Sequence, residues 1–171
     1  MLAITILIYY RQVFMPKIIL GLDPGLADTG YGVIKVVGPK VTCLAYGSIK
    51  TAAGLDLVDR LDELHQQLDK IIKKYHPQIA AVEQLFFNKN VRTALIVGQA
   101  RGVLLLTLRQ NKLPVFDFTP AQVKLAVTAY GQATKLQVQK MVKMVLNLKE
   151  IPKPDDAADA LAIALCALNS R

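Results

Sequence analysis

Two short apolar runs in this chain each end in an acid: Lys17-Ile18-Ile19-Leu20-Gly21-Leu22-Asp23 and Ile79-Ala80-Ala81-Val82-Glu83. Continuous apolar stretches of that length predict buried strands, and the terminal carboxylates place their ends at an open cleft. After Asp23-Pro24-Gly25 a Gly-rich return, Thr29-Gly30-Tyr31-Gly32-Val33-Ile34, predicts a second strand, and beyond the Gly38-Pro39 turn residues 41–51 predict a third. Between about 55 and 75, Leu57, Leu61, Leu64, Leu68, Ile71 and Tyr75 recur every three or four residues with charges between them, the signature of an amphipathic helix. Pro77 stops it ahead of the strand 78–83.

The pattern then turns helical. Residues 91–112 are so apolar, through Ala94-Leu95-Ile96-Val97 and Val103-Leu104-Leu105-Leu106, that burial on more than one side is expected, against the sheet and against a second subunit. Residues 114–118 predict a short fifth strand. Thr119-Pro120-Ala121-Gln122 and Thr134-Lys135-Leu136-Gln137 then read as capping boxes that open two further helices. A last helix begins near Asp155, which is expected to be its N-cap. Three strands joined by turns, followed by alternating helices and strands, predict an α/β fold: a mixed five-stranded sheet with helices on its faces.

With 171 residues the chain fits one domain with an adequate core. Residues 1–14 read as an N-terminal extension outside it, and residues 15–171 as the single domain. The apolar start, Met1 to Tyr10, is too short to span a bilayer and lacks signal-peptide features, so no membrane association is expected. Cys43 and Cys166 are isolated in apolar surroundings, which predicts reduced core residues in the cytoplasm. His65 and His76 have no metal-binding or catalytic spacing and read as surface residues.

The net charge of +8 favours a polyanionic partner, and it is uneven. From Phe86 onward there are 12 Lys and Arg against 5 Asp and Glu, whereas 9 and 8 precede it. That basic half carries a second acidic motif, Asp156-Ala157-Ala158-Asp159, whose two acids share a helix face three residues apart. Taken one at a time, Asp23 is explained by its turn, Glu83 by a salt bridge, and Asp156 and Asp159 by the helix dipole. Brought together, the four would repel one another unless cations bound there, and hard oxygen ligands suit Mg²⁺ or Mn²⁺. Two such ions support in-line hydrolysis of a phosphodiester with no side-chain nucleophile.

The segment after Glu83, Gln84-Leu85-Phe86-Phe87-Asn88-Lys89-Asn90-Val91-Arg92, adds aromatics and cations beside that site. Phe86 is suited to stack on an unpaired base while Lys89 and Arg92 hold phosphates. The alternative is that the rings complete the core. Lys124 and Lys135, near the two capped helix starts, fit either phosphate contacts or a solvated surface.

Gly21-Leu22-Asp23-Pro24-Gly25 with Thr29-Gly30-Tyr31-Gly32, Ala81-Val82-Glu83-Gln84, Gly98-Gln99-Ala100-Arg101-Gly102 and Asp156-Ala157-Ala158-Asp159-Ala160-Leu161 together resemble the RuvC crossover junction endodeoxyribonucleases, in order and from about Met15 to Asn169. The resemblance implies a ribonuclease H-like fold, a homodimer, and paired symmetric nicking of four-way (Holliday) DNA junctions in recombination and repair, alongside a branch-migration protein complex. It also implies that Asp23, Glu83, Asp156 and Asp159 are the catalytic acids, holding two Mg²⁺ per site with Mn²⁺ as a substitute. By the same resemblance Phe86 is the junction-stacking aromatic, and Lys124 and Lys135 lie close to the cleaved strand. The 1–14 extension and a C-terminus without a basic tail depart from the usual pattern. Competing readings are a related nuclease acting on structured RNA and a non-catalytic junction-binding scaffold. An ATP-binding protein of the actin and sugar-kinase type is disfavoured, because such folds need two domains.

Overall fold

The computed structural model describes residues 16–85 and 91–169. Five strands form one sheet in the order β3-β2-β1-β4-β5: β1 (Lys17–Asp23), β2 (Asp28–Val37), β3 (Lys40–Lys50), β4 (Ile79–Glu83) and β5 (Val115–Phe118). The first three strands form an antiparallel meander, while β4 and β5 run parallel to β1, so the sheet is mixed as the pattern predicts. Among the described residues five α-helices complete the fold: α1 (Leu57–Tyr75), α2 (Val91–Gln110), α3 (Pro120–Thr128), α4 (Lys135–Val145) and α5 (Asp155–Cys166).

The pleat of β1 shows how the sheet is covered. Leu20 and Leu22 face a core that includes Leu64 and Leu68 of α1 and Leu104 and Leu108 of α2. Ile19 faces the opposite core, with Val123 of α3, Val142 of α4 and Leu161 of α5. Both faces are therefore covered, and β1 is buried on both sides, which explains its unbroken apolar run.

Helix starts follow local chemistry. In both capping boxes the threonine hydroxyl accepts from the glutamine backbone N–H, Thr119 at 3.2 Å and Thr134 at 3.3 Å, while each glutamine side chain returns a 2.8 Å bond to the threonine N–H. Helix α1 ends where His76 adopts a left-handed conformation before Pro77 and returns its N–H to Ile72 O.

Two expectations need correction. Asp155 is the first residue of α5, not its cap; Pro154 holds the N-cap position and supplies no side-chain bond. The carboxylate of Asp155 instead accepts from Gln139 Nε2 at 3.2 Å and lies 3.4 Å from Lys135 Nζ. His65 is half-buried and bridges two helices, its Nδ1 lying 2.8 Å from the hydroxyl of the buried Thr107 on α2. Helix α2 packs against both the sheet and α1, while its Leu95 and Leu106 remain 63% and 58% exposed.

Candidate metal and nucleic-acid site

The site forms where three elements end together. Strands β1 and β4 are parallel neighbours in the register Leu22↔Val82, so Asp23 and Glu83 close adjacent strands at the same sheet edge. Just beyond Asp23 the chain turns and is tied back through Thr29, a buried residue whose hydroxyl donates to Gly25 O. Helix α5 then brings in Asp156 and Asp159 by crossing β1 and β2 at glycines. A Cβ on Gly30 would fall 2.0 Å from Asp156 O, one on Gly21 2.1 Å from Ala160 O, and one on Gly32 2.8 Å from Leu161 N. Only strands without side chains at these points let the helix backbone lie on the sheet.

Carboxylate oxygens of Asp23, Asp156 and Asp159 come within 4.8 Å of one another, a spacing that one or two oxygen-ligated cations can bridge. Glu83 stands beside this triad rather than within it, sharing with Asp159 a cleft of about 240 Å³ also lined by Lys124 and Lys135. Lys135 Nζ lies 3.0 Å from Asp159 Oδ2.

The electrostatics match the geometry. Burial, then the charges of Glu83, Asp159 and Asp156, push the Asp23 carboxyl up to about 8, and Lys135 offsets only part of this. Burial and Asp159 raise Glu83 to about 7 against the pull of Lys124 and Lys135. Asp159 is also raised, mainly by burial, even though Lys135 pairs with it. The site thus favours protons or cations over bare carboxylates, and its all-oxygen donor set fits Mg²⁺ or Mn²⁺.

The structure therefore gathers Asp23, Glu83, Asp156, Asp159, Lys124 and Lys135 at one sheet edge. Phe86 and Lys89 lie outside the described residues, as does the side chain of Arg92. Arg101 was not singled out from the sequence. Its Nε donates to Glu83 O at 3.2 Å, and a terminal nitrogen donates to Asp117 Oδ1 at 2.6 Å. The sequence does place it in the Gly98-Gln99-Ala100-Arg101-Gly102 block that contributes to the family resemblance, without a role in the site.

The family model described as crossover junction endodeoxyribonuclease RuvC matches residues 19–167. This chain belongs to the RuvC family. A RuvC from Halothermothrix orenii is 58% identical over 153 residues, spanning 90% of this chain and 93% of the relative. The structure of Thermus thermophilus RuvC in complex with a Holliday junction substrate superposes with a TM-score of 0.83 at 35% identity, covering 88% of this chain and 92% of that one. The yeast mitochondrial Holliday junction resolvase shares the fold, with a TM-score of 0.65 at 16% identity over 92% of this chain and 82% of that one. The RuvC fold is the ribonuclease H-like nuclease fold, with the mixed sheet and two-sided helices described above.

Proposed function

We propose that this protein cuts four-way DNA junctions through the carboxylate site at the ends of β1 and β4. It is an endodeoxyribonuclease that hydrolyses phosphodiester bonds, a Holliday junction resolvase of the RuvC family. The observation that carries the site assignment is the meeting of Asp23, Asp156 and Asp159 within 4.8 Å at a sheet edge, with Glu83 alongside.

Asp23, Asp156, Asp159 and Glu83 would hold two Mg²⁺, with Mn²⁺ as a substitute. Bound ions supply Lewis acidity toward the scissile phosphate and the attacking water. Asp23, which comes within 4.8 Å of Asp156 and Asp159 and feels the charges of all three other acids, would be a ligand to the bound metal. Glu83 and Asp159 flank the cleft and orient the attacking water. Lys135 and Lys124 present positive charge along its wall, where they hold the phosphate against the acids. Phe86 stacks at the junction centre, and Lys89 and Arg92 hold neighbouring phosphates.

Symmetric cutting requires two sites, so the protein works as a homodimer. Leu95 and Leu106, three helical turns apart on α2, support this, with open space above Gly102 between them. A branch-migration complex is the further partner, since it delivers the same junction. We place the protein in the cytoplasm with its DNA substrate. Two free cysteines accord with that location, and no described helix is long and apolar enough to cross a membrane. Residues 15–171 form the nuclease domain and residues 1–14 lie outside it, a division consistent with a family match spanning 19–167.

The test is Mg²⁺-dependent nicking of a synthetic junction by wild type and by the Asn or Gln variants of the four acids. Loss of cutting with retained junction binding supports the assignment. Comparable cutting of structured RNA would favour the RNA-processing reading, and binding without cutting by wild type would favour the scaffold.

A further inference from the structure

Glu83 needs an anchor. Its half-buried carboxylate shares the cleft with that of Asp159, and like charges facing one cleft oppose each other. The strand gives limited resistance, because Glu83 is its last residue and pairs only with Phe118 at the end of the short β5. One further bond continues the ladder, from Gln84 N to Phe118 O at 2.8 Å.

We infer that Arg101 is a positioning residue for Glu83, clamping the last peptide of β4 to β5 and α2 so that the carboxylate faces the metal site. The guanidinium is planar and offers donors in a fixed fork. Its Nε takes the Glu83 carbonyl at 3.2 Å, and its terminal nitrogen takes Asp117 Oδ1 at 2.6 Å, one strand over. Asp117 pairs with Val82, the residue before Glu83, so the fork straddles adjacent strand ends. The arginine side chain is only 20% exposed, and its charge is directed at Asp117. The cations that act on the Glu83 carboxylate are Lys124 and Lys135, which line the cleft with it. Arg101 thus sets where Glu83 points, and the lysines set its charge environment.

This inference rests on the reading of Glu83 as a ligand, so the experiment includes Glu83→Gln as a reference. Mn²⁺ binding is measured calorimetrically without DNA for wild type, Arg101→Gln, Arg101→Lys, Asp117→Asn and Glu83→Gln. Single-turnover nicking at saturating junction follows across a Mg²⁺ series, with junction affinity in Ca²⁺ and a melting curve for each variant. Arg101→Gln should weaken Mn²⁺ binding about 10-fold and slow nicking by at least as much, the usual scale for groups that orient ligands. Raising Mg²⁺ should recover part of the rate, and junction affinity in Ca²⁺ should stay within about two-fold, because the fork bonds to protein rather than to phosphate. Arg101→Lys, which offers no planar fork, and Asp117→Asn, which leaves the carbonyl bond available, should show smaller losses in the same direction. These two decide the matter if Arg101→Gln does not fold. Folded Arg101→Lys and Asp117→Asn with wild-type Mn²⁺ affinity and wild-type nicking would overturn the inference. If Glu83→Gln itself binds Mn²⁺ and cuts normally, the ligand reading of Glu83 has failed, and the clamp has no object.

Discussion

Replacing Gly30 with alanine puts the seating of α5 on the sheet to a direct test. The added Cβ would lie 2.0 Å from the carbonyl oxygen of Asp156, 2.5 Å from its carbonyl carbon and 3.1 Å from its Cβ. Ordinary contact needs carbon–oxygen and carbon–carbon separations near 3.5 Å, so helix or strand must retreat by roughly 1.5 Å. The atoms in the way are backbone, so no rotamer change relieves the overlap. Overpacking of this kind costs about 1–3 kcal/mol, and the obstruction by backbone puts this case at the upper end. The functional loss should be larger in proportion, because the displaced residue belongs to the site. Productive geometry tolerates about 0.5 Å, and a displacement of about 1 Å costs on the order of 100-fold in rate. Single-turnover nicking of a four-way junction in Mg²⁺, with junction binding in Ca²⁺ and a thermal melt alongside, separates the two effects. Gly54→Ala, with no atom within 4 Å of the added methyl, is the neutral control. Gly30→Ala with wild-type melting and wild-type nicking would refute the close-seating argument.

Single Asn or Gln replacements at Asp23, Asp156 or Asp159 should lower nicking by at least about 1000-fold, the scale of losing a group that stabilises transition-state charge, with junction affinity in Ca²⁺ unchanged or improved. Retained turnover in any of them contradicts the shared site. Without metal, stability should fall as pH rises from about 5 to 8.5. Asp23 and Glu83 titrate near 8 and 7 in the fold against ordinary values of 3.8 and 4.5, so the folded state holds more protons across that window. Mg²⁺ should stabilise most at the alkaline end, because binding displaces those protons; a melting temperature that climbs with pH in the metal-free protein would contradict this sign. Leu106→Glu should raise the dimer dissociation constant at least about 100-fold by placing a charge where burial of a leucine contributes roughly 2 kcal/mol from each subunit. Sedimentation at micromolar protein reads the shift, and an unchanged dimer would move the interface elsewhere.

Much of the site was legible because acids interrupt apolar runs at a high cost. Asp23 and Glu83 announce the strand ends, and the three-residue spacing of Asp156 and Asp159 announces a shared helix face. The five strands follow from apolar runs and turn residues, and both capping boxes appear where Thr119 and Thr134 stand three residues before glutamines. What periodicity does not encode is distance between elements. Gly21 reads as part of an apolar strand and Gly30 and Gly32 as a Gly-rich return into the next, yet all three are contact points for a helix backbone. Asp155 matched the residue preference of an N-cap, but Lys135 and Gln139 on the neighbouring helix hold its carboxylate instead. His65 and Arg101 are hidden for the same reason, since their partners Thr107 and Asp117 lie far away in the chain.

The central claim is that the carboxylates of Asp23, Glu83, Asp156 and Asp159 make this protein a metal-dependent junction nuclease. The most direct measurement maps nicks, to the nucleotide, on a synthetic mobile four-way junction labelled in each strand in turn, with and without Mg²⁺. The expected result is a pair of symmetric nicks in two strands of like polarity, present only with metal and absent in Asp23→Asn. Metal-independent nicks, or equal cutting of plain duplex, would contradict it.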